Sequence, residues 1–147
     1  MTVVLRQYQP GDREALVSLW SFCELIRPWN DPYRDIDRKL MRDAPNLVVL
    51  VVDGKLAGSV MVGYEGHRGW VNYLAVHPDH QRQGLGRVLM DEAERRLREL
   101  GCVKVNLQIR TSNQAAVEFY RHIGYIVDDV VSMGRRLEDD DPTGGVL

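Results

Sequence analysis

Leu74-Ala75-Val76-His77-Pro78-Asp79-His80-Gln81-Arg82-Gln83-Gly84-Leu85-Gly86-Arg87 is the stretch on which the fold turns. Its first residues end an expected strand that begins at Trp70 and is stopped by Pro78, which has no N–H to give to a strand ladder. Its last residues open the strongest helical pattern in the chain, with Val88, Leu89, Ala93, Leu97 and Leu100 on one stripe and Gly101 as the stop. A strand therefore hands over to a long helix through a short turn. Backbone N–H groups at a helix start lack partners and the macrodipole is positive there, so this turn predicts an anion site. Arg82 and Arg87 add charge, while Gly84 and Gly86 would let a diphosphate approach with no Cβ in the way. The spacing matches neither GxGxxG nor GxxxxGK(S/T), which argues against NAD or a nucleoside triphosphate. Read alone, the same glycines also fit a plain tight turn before a helix.

Working outward, Leu47 to Val52 reads as a buried strand, and Asp53-Gly54 supplies the positive φ angles of a tight hairpin into Leu56 to Tyr64. Glu65-Gly66-His67-Arg68-Gly69 makes the next turn, and Trp70 to Val76 the next strand. Near the start, Val3, Leu5 and Gln7 open a short strand, and Asp12 can cap a helix on which Ala15, Leu16, Leu19, Trp20 and Cys23 recur. Pro28 and Pro32 forbid its continuation, so a second short helix is expected from Ile36 to Asp43. Downstream, Val103, Val105, Leu107 and Ile109 alternate with polar residues as a strand with one apolar face. Asn113 or Ser112 caps a helix that buries Ala116, Val117, Phe119, Tyr120 and Ile123 and closes at Gly124. Two last β segments are expected near Tyr125 to Val127 and Val131 to Leu137.

The order β-α-α-β-β-β-α-β-α-β-β, with hairpins before a βαβ unit, predicts an α/β (α+β) fold: a mixed central sheet with helices on both faces. A single domain is expected over 1–138, followed by an acidic, flexible tail over 139–147.

At 147 residues the chain can bury a full core, and 44% apolar beside 27% charged residues is ordinary for a soluble protein. A net charge of -2 lacks the basic excess of a nucleic-acid binder. The longest apolar run, Leu47 to Val52, is far short of the ~20 residues of a membrane span, and no basic-then-apolar leader opens the chain. A cytoplasmic protein with no nucleic-acid or membrane partner is the expectation. Cys23 and Cys102 show no metal-ligand spacing and read as free thiols, and no metal is expected.

Gln81-x-x-Gly84-x-Gly86 after a Leu-Ala-Val-His-Pro strand end resembles the acyl-CoA-binding motif of the GNAT family of N-acetyltransferases. Asn113-x-x-Ala116-x-x-Phe119-Tyr120-x-x-x-Gly124-Tyr125 resembles that family's other CoA-contacting helix, and the element order agrees across nearly the whole chain. The arrangement looks closest to the small bacterial branch that includes ribosomal-protein N-terminal acetyltransferases. The resemblance implies a GNAT-type, mostly antiparallel sheet and an acetyl-CoA-dependent N-acetyltransferase, with direct attack of a primary amine in a ternary complex. Leu74, Ala75 and Val76 would run beside the pantetheine arm on a bulged strand that splays from its neighbour. Gln81, Arg82, Gln83, Gly84, Leu85, Gly86 and Arg87 would hold the pyrophosphate, and Asn113 and Ala116 would join the cofactor-binding set. Tyr120 matches the family tyrosine that protonates the departing thiolate. Beside these roles, Tyr120 also fits a core aromatic and Asn113 an ordinary N-cap.

An attacking amine must first lose a proton. Ribosomal N-terminal acetyltransferases resemble this chain around Asn106 to Arg110 but place a glutamate where Gln108 stands, and an amide cannot take that proton. Glu65 is the first choice of base, with His67 or Tyr73, through water, as the other candidates. Arg27, Trp29 and Asn30 would shape the acceptor pocket, suiting a carboxylate or another polar group, unless Trp29 simply packs down on the helices. The acceptor stays open among an amine-bearing small molecule, a peptide and a protein terminus, and the family leaves a homodimer open. A catalytically silent acyl-CoA-binding sensor or regulatory module is the second reading; Tyr120 favours the enzyme.

Overall fold

A computed structural model describes residues 1–140, and most of the expected tail lies outside them. In chain order the elements are β1 (Val3–Gln7), α1 (Arg13–Phe22), α2 (Pro32–Asp43), β2 (Leu47–Val52), β3 (Lys55–Tyr64), β4 (Gly69–Val76), α3 (Leu85–Glu99), β5 (Val105–Asn106) and α4 (Gln114–His122). The five strands form one sheet in the order β1-β2-β3-β4-β5, antiparallel except for the parallel β4–β5 pair. The α/β class, with a mostly antiparallel GNAT-type sheet flanked by helices, is the one expected.

Strand alternation assigns the two faces. Leu47 and Val49 of β2 point to a core built with Leu16, Leu19 and Trp20 of α1 and Ile36 of α2. Val48, Leu50 and Val52 point the other way, to Leu85, Leu89, Met90, Ala93 and Leu97 of α3 and Tyr120 of α4. The β2–β3 hairpin turns on Asp53 and Gly54, at φ 49° and 83°. No helix among the described residues is long and apolar enough to cross a membrane.

Several local expectations are corrected. α2 starts at Pro32 rather than Ile36, because Asp31 caps it by accepting the N–H groups of Tyr33 and Arg34 and Pro32 sits in its first turn. Asp12 makes no such cap; its carboxylate takes both Arg6 Nη atoms at 2.7 and 2.9 Å and the Gln9 N–H at 2.8 Å. β5 is two residues long, and among the described residues the two last β segments form no ladder. Residues 125–140 are instead tied by polar contacts: Asp128 accepts from Lys104 and Asn106, and Ser132 from Gln108. Ile126, Val127, Val131 and Met133 are left exposed there. Asp140, in the segment expected to fray, is 4% exposed.

Candidate active site

β4 leaves β5 almost at once. Among the described residues the two strands pair only at Gly69↔Val105 and Trp70↔Asn106, so from Asn72 to Val76 none of those residues forms a strand beside the edge of β4 that faces β5. The close start has a steric reason: a Cβ on Gly69 would lie 2.8 Å from the Cys102 sulfur and 2.9 Å from Leu97. Further along, the β3–β4 register shifts between Ser59 and Met61, which face Ala75 and Asn72. The extra β4 residue makes a bulge, and Tyr73 sits in it at φ 52°, a left-handed conformation rare for an aromatic residue. Ser59, fully buried, clamps the bulge: its hydroxyl donates to the Tyr73 carbonyl at 2.8 Å and accepts from Trp20 Nε1 at 3.0 Å. The splayed, bulged strand predicted for Leu74, Ala75 and Val76 is thus present, as a gap along the β4 main chain with no ladder partner from β5.

The gap runs out onto the turn before α3. Pro78–His80 forms a single 3-10 turn, and Gln81 folds back to donate to the Val76 carbonyl at 3.0 Å. Arg82 and Gly84 then take left-handed φ values of 64° and 80°. No side chain caps α3, so the N–H groups of its first turn remain open, and Arg82, Gln83, Gly84 and Arg87 are exposed around them. Alternating backbone handedness before an uncapped helix start is a geometry that gathers N–H groups on an anion. The two glycines differ in purpose. Gly84 supplies the positive φ with open space about it, whereas a Cβ on Gly86 would come within 3.0 Å of Phe119. Gly86 thus admits the Phe119 ring and seats α4 on α3, a packing reason for the glycine beside the expected one.

That seating positions Tyr120. Its ring lies edge-on to Phe119 at 5.1 Å and to Tyr125 at 5.6 Å, in the core beneath α3. Burial alone pushes its phenol well above the usual tyrosine range, so it stays protonated at physiological pH. Asn113 is the N-cap of α4, accepting the Ala116 N–H at 3.1 Å, and Ala116 is half-buried against the core.

On the sheet face that carries α1 and α2, the Tyr73 ring stacks on Trp20 with centroids 3.7 Å apart. Its hydroxyl donates to Asp35 Oδ2 at 2.6 Å. Burial raises the Asp35 carboxyl above the usual carboxylate range, against the opposing pull of the Tyr73 hydrogen bond. Burial, then the Asp35 hydrogen bond, pushes the Tyr73 phenol up strongly. Glu65 Oε1 accepts the backbone N–H groups of Arg68 and of His67, the latter at 2.9 Å, which bind the turn together. The Arg68 N–H in particular holds that carboxyl below its usual range, making it a weaker proton acceptor. His67 is exposed on the same turn, and Gln108 reaches Ser132.

The connection between α1 and α2 is also rearranged relative to expectation. Arg27 donates to the carbonyls of Glu24 and Ile26 and so secures its own turn. Trp29 stands 37% exposed with the Arg110 guanidinium 4.9 Å from its ring centre, and Arg136 donates to the Trp29 carbonyl and to Asn30 Oδ1. Asp35, Ser59, Trp20, Arg38 and Arg136 were not singled out from the sequence. The one local hint was Asp31-x-x-x-Asp35 beside Arg34-x-x-x-Arg38, whose four-residue spacing stacks like side chains on a helix face.

A strand gap leading to an uncapped helix start is the arrangement of an acyl-transfer fold, and comparison with known proteins agrees. The family model described as Acetyltransferase (GNAT) family matches residues 13–125, and the chain belongs to that family. An acetyltransferase of Pectobacterium atrosepticum is 42% identical over 136 residues, spanning 92% of this chain and 96% of the relative. An acetyltransferase of Sodalis glossinidius is 42% identical over 137 residues, spanning 92% and 96%. Among solved structures, Ard1 from Thermoplasma volcanium superposes with a TM-score of 0.75 at 22% identity, covering 87% of this chain and 85% of its own. The ribosomal-protein-S18-alanine N-acetyltransferase from Escherichia coli superposes with a TM-score of 0.70 at 23% identity, covering 84% and 77%. These two structures share the fold.

Proposed function

We propose that this acetyltransferase moves an acetyl group from acetyl-CoA to a primary amine by direct attack in a ternary complex. The observation that carries the reading is the β4–β5 gap above Trp70, which opens directly onto the uncapped start of α3. Leu74 to Val76 can pair with the amides of a pantetheine arm as a strand would, and the turn from Gln81 to Arg87 can hold the pyrophosphate through N–H groups and two arginines. Asn113 and Ala116 border the same arm from α4.

In the transfer, the amine nitrogen forms a bond to the acetyl carbonyl carbon, the carbon–sulfur bond breaks, and the thiolate leaves with a proton from Tyr120. A phenol kept protonated by burial suits that donor role. Before attack the ammonium gives one proton to Asp35 through the Tyr73 hydroxyl, which already donates to that carboxylate at 2.6 Å. Once the carbon–nitrogen bond has formed, the nitrogen's second proton passes to the Tyr120 phenolate and restores the phenol. Asp35 replaces Glu65 as the base in this reading, because the Glu65 oxygen is engaged by the turn and its carboxyl is held more acidic. The same burial that raises Asp35 makes it a better proton acceptor when ionised.

The reading is tested by following free-thiol release from acetyl-CoA over a panel of primary amines, with mass spectrometry of the acetylated products. Amine-dependent thiol release is expected. Acetyl-CoA binding with no amine able to raise thiol release above hydrolysis would favour the silent-module reading instead.

A further inference from the structure

Beside the Tyr73–Asp35 pair lies a cluster that the transfer step itself does not use. Asp140 accepts from Arg38 through both oxygens, at 2.7 and 2.8 Å, with Arg34 at 3.5 Å and Arg136 at 3.9 Å. The backbone N–H of Asp31 adds a contact at 3.3 Å. The enclosure is one-sided: the Asp140 side chain is 1% exposed, while those of Arg34 and Arg38 are 59% and 52% exposed. A carboxylate is thus enclosed by three guanidinium side chains, two of them more than half open to solvent and the third, Arg136, 30% exposed.

The carboxylate arrives on a segment held by polar contacts and not by a packed core. Residues 125–140 contribute no strand or helix, and Leu137 is 89% exposed, so apolar burial does not anchor the end of this segment. Arg34 and Arg38 also lie near Asp31 and Asp35, at 3.8 and 3.5 Å. Without Asp140 the Arg38 guanidinium loses its two-pronged carboxylate partner and presents a fork geometry suited to another carboxylate. Arg38 meets both Asp140 and Asp35, and Asp35 meets Tyr73, so the cluster begins one contact from the proposed proton path.

We propose that Arg34, Arg38 and Arg136 form a carboxylate subsite for the amine acceptor, and that Asp140 of the same chain occupies it while no acceptor is bound. This rests on the acetyl-transfer reading above and narrows the acceptor to a compound carrying an amine and a carboxylate a few bonds apart. Binding exchanges one carboxylate for another on the same guanidiniums, sets the amine toward Tyr73, and releases Asp140.

The test uses the full chain, acetyl-CoA, and acceptors matched as free acid and primary amide: glycine and glycinamide, β-alanine and its amide, γ-aminobutyrate and its amide. At least one acid is expected to exceed its amide in kcat/KM by roughly 10- to 100-fold, the worth of one charge-assisted hydrogen-bonded contact. Asp140→Ala should raise kcat/KM for the acids more than for the amides, by removing the internal competitor. Arg38→Gln, and separately Arg34→Gln, should drive the acid-to-amide ratio toward one. Equal turnover of acids and amides, or acetylation of none of the acids while acetyl-CoA still binds, would overturn the subsite. Calorimetry on the same preparations keeps the two readings apart, since loss of acetyl-CoA binding would instead remove the acetyl-transfer reading beneath it.

Discussion

The Tyr73 hydroxyl reaches Asp35 at 2.6 Å from a backbone that only a bulge permits, at φ 52°. Trp20 fixes the ring from one face and, through Ser59, the Tyr73 carbonyl as well. The phenol is therefore held at both ends where β4 parts from β5.

Asp35 should set the acidic limb of the pH profile. Its carboxyl is raised by burial, so kcat/KM is expected to climb with pH through a value above the ordinary carboxylate pKa of about 4. Asp35→Asn should abolish that limb and lower kcat by about 10²- to 10⁴-fold. Stability runs the other way. A carboxyl raised on folding binds its proton more tightly in the fold, so its contribution falls as pH rises from the unfolded value through the folded one. Asp35→Asn is thus expected not to lower the thermal midpoint at neutral pH; a large drop there would mark Asp35 as structural.

Tyr120→Phe removes the proposed proton donor while keeping the ring packed between Phe119 and Tyr125. A fall in kcat of about 10²- to 10⁴-fold is expected, with little change in acetyl-CoA affinity. Unchanged turnover in a working assay would leave Tyr120 as a core aromatic only.

Gly86→Ala should act through α4. The added Cβ would meet the Phe119 ring at 3.0 Å, and overpacking of this kind costs about 1–3 kcal/mol. Urea unfolding should show the loss, acetyl-CoA affinity should fall with it, and Phe119→Leu in the same background should restore much of both.

Arg6 and Asp12 make an acid-sensitive clamp at the start of the fold. The Arg6 hydrogen bonds hold the Asp12 carboxyl below its usual range. With the folded pKa depressed, the stability it contributes is complete above about pH 4 and is lost as pH falls through the folded value. Asp12→Asn should cost about 1–3 kcal/mol at pH 7 and flatten the decline in stability below pH 4, measured by denaturant titration across pH.

Features carried by neighbouring residues were legible before the structure. The Asp53-Gly54 hairpin, the apolar stripe of α3, the turn from Gln81 to Gly84 and the α4 face bearing Tyr120 each depend on a few adjacent positions. The acceptor side depends on contacts across long separations, 38 residues for Tyr73 and Asp35 and 102 for Arg38 and Asp140, and no local pattern reports them. Glu65 was a candidate base because its hairpin was expected to border the acceptor; the hydrogen bonds that its Oε1 accepts from the turn's own N–H groups are not readable from composition. Gly86 has a packing reason that lies on another helix and that its motif does not report. The alternating residues after Tyr125 have strand composition, but β5 offers only two paired residues and no ladder on which they could build.

Titration of acetyl-CoA into the purified chain by calorimetry, with coenzyme A and ATP as comparisons, tests the central claim most directly. Saturable one-to-one binding of acetyl-CoA and coenzyme A is predicted, with a dissociation constant on the order of micromolar, about −8 kcal/mol, and none for ATP at the same concentrations. The absence of measurable heat with either thioester or thiol, from protein shown to be folded, would contradict the account.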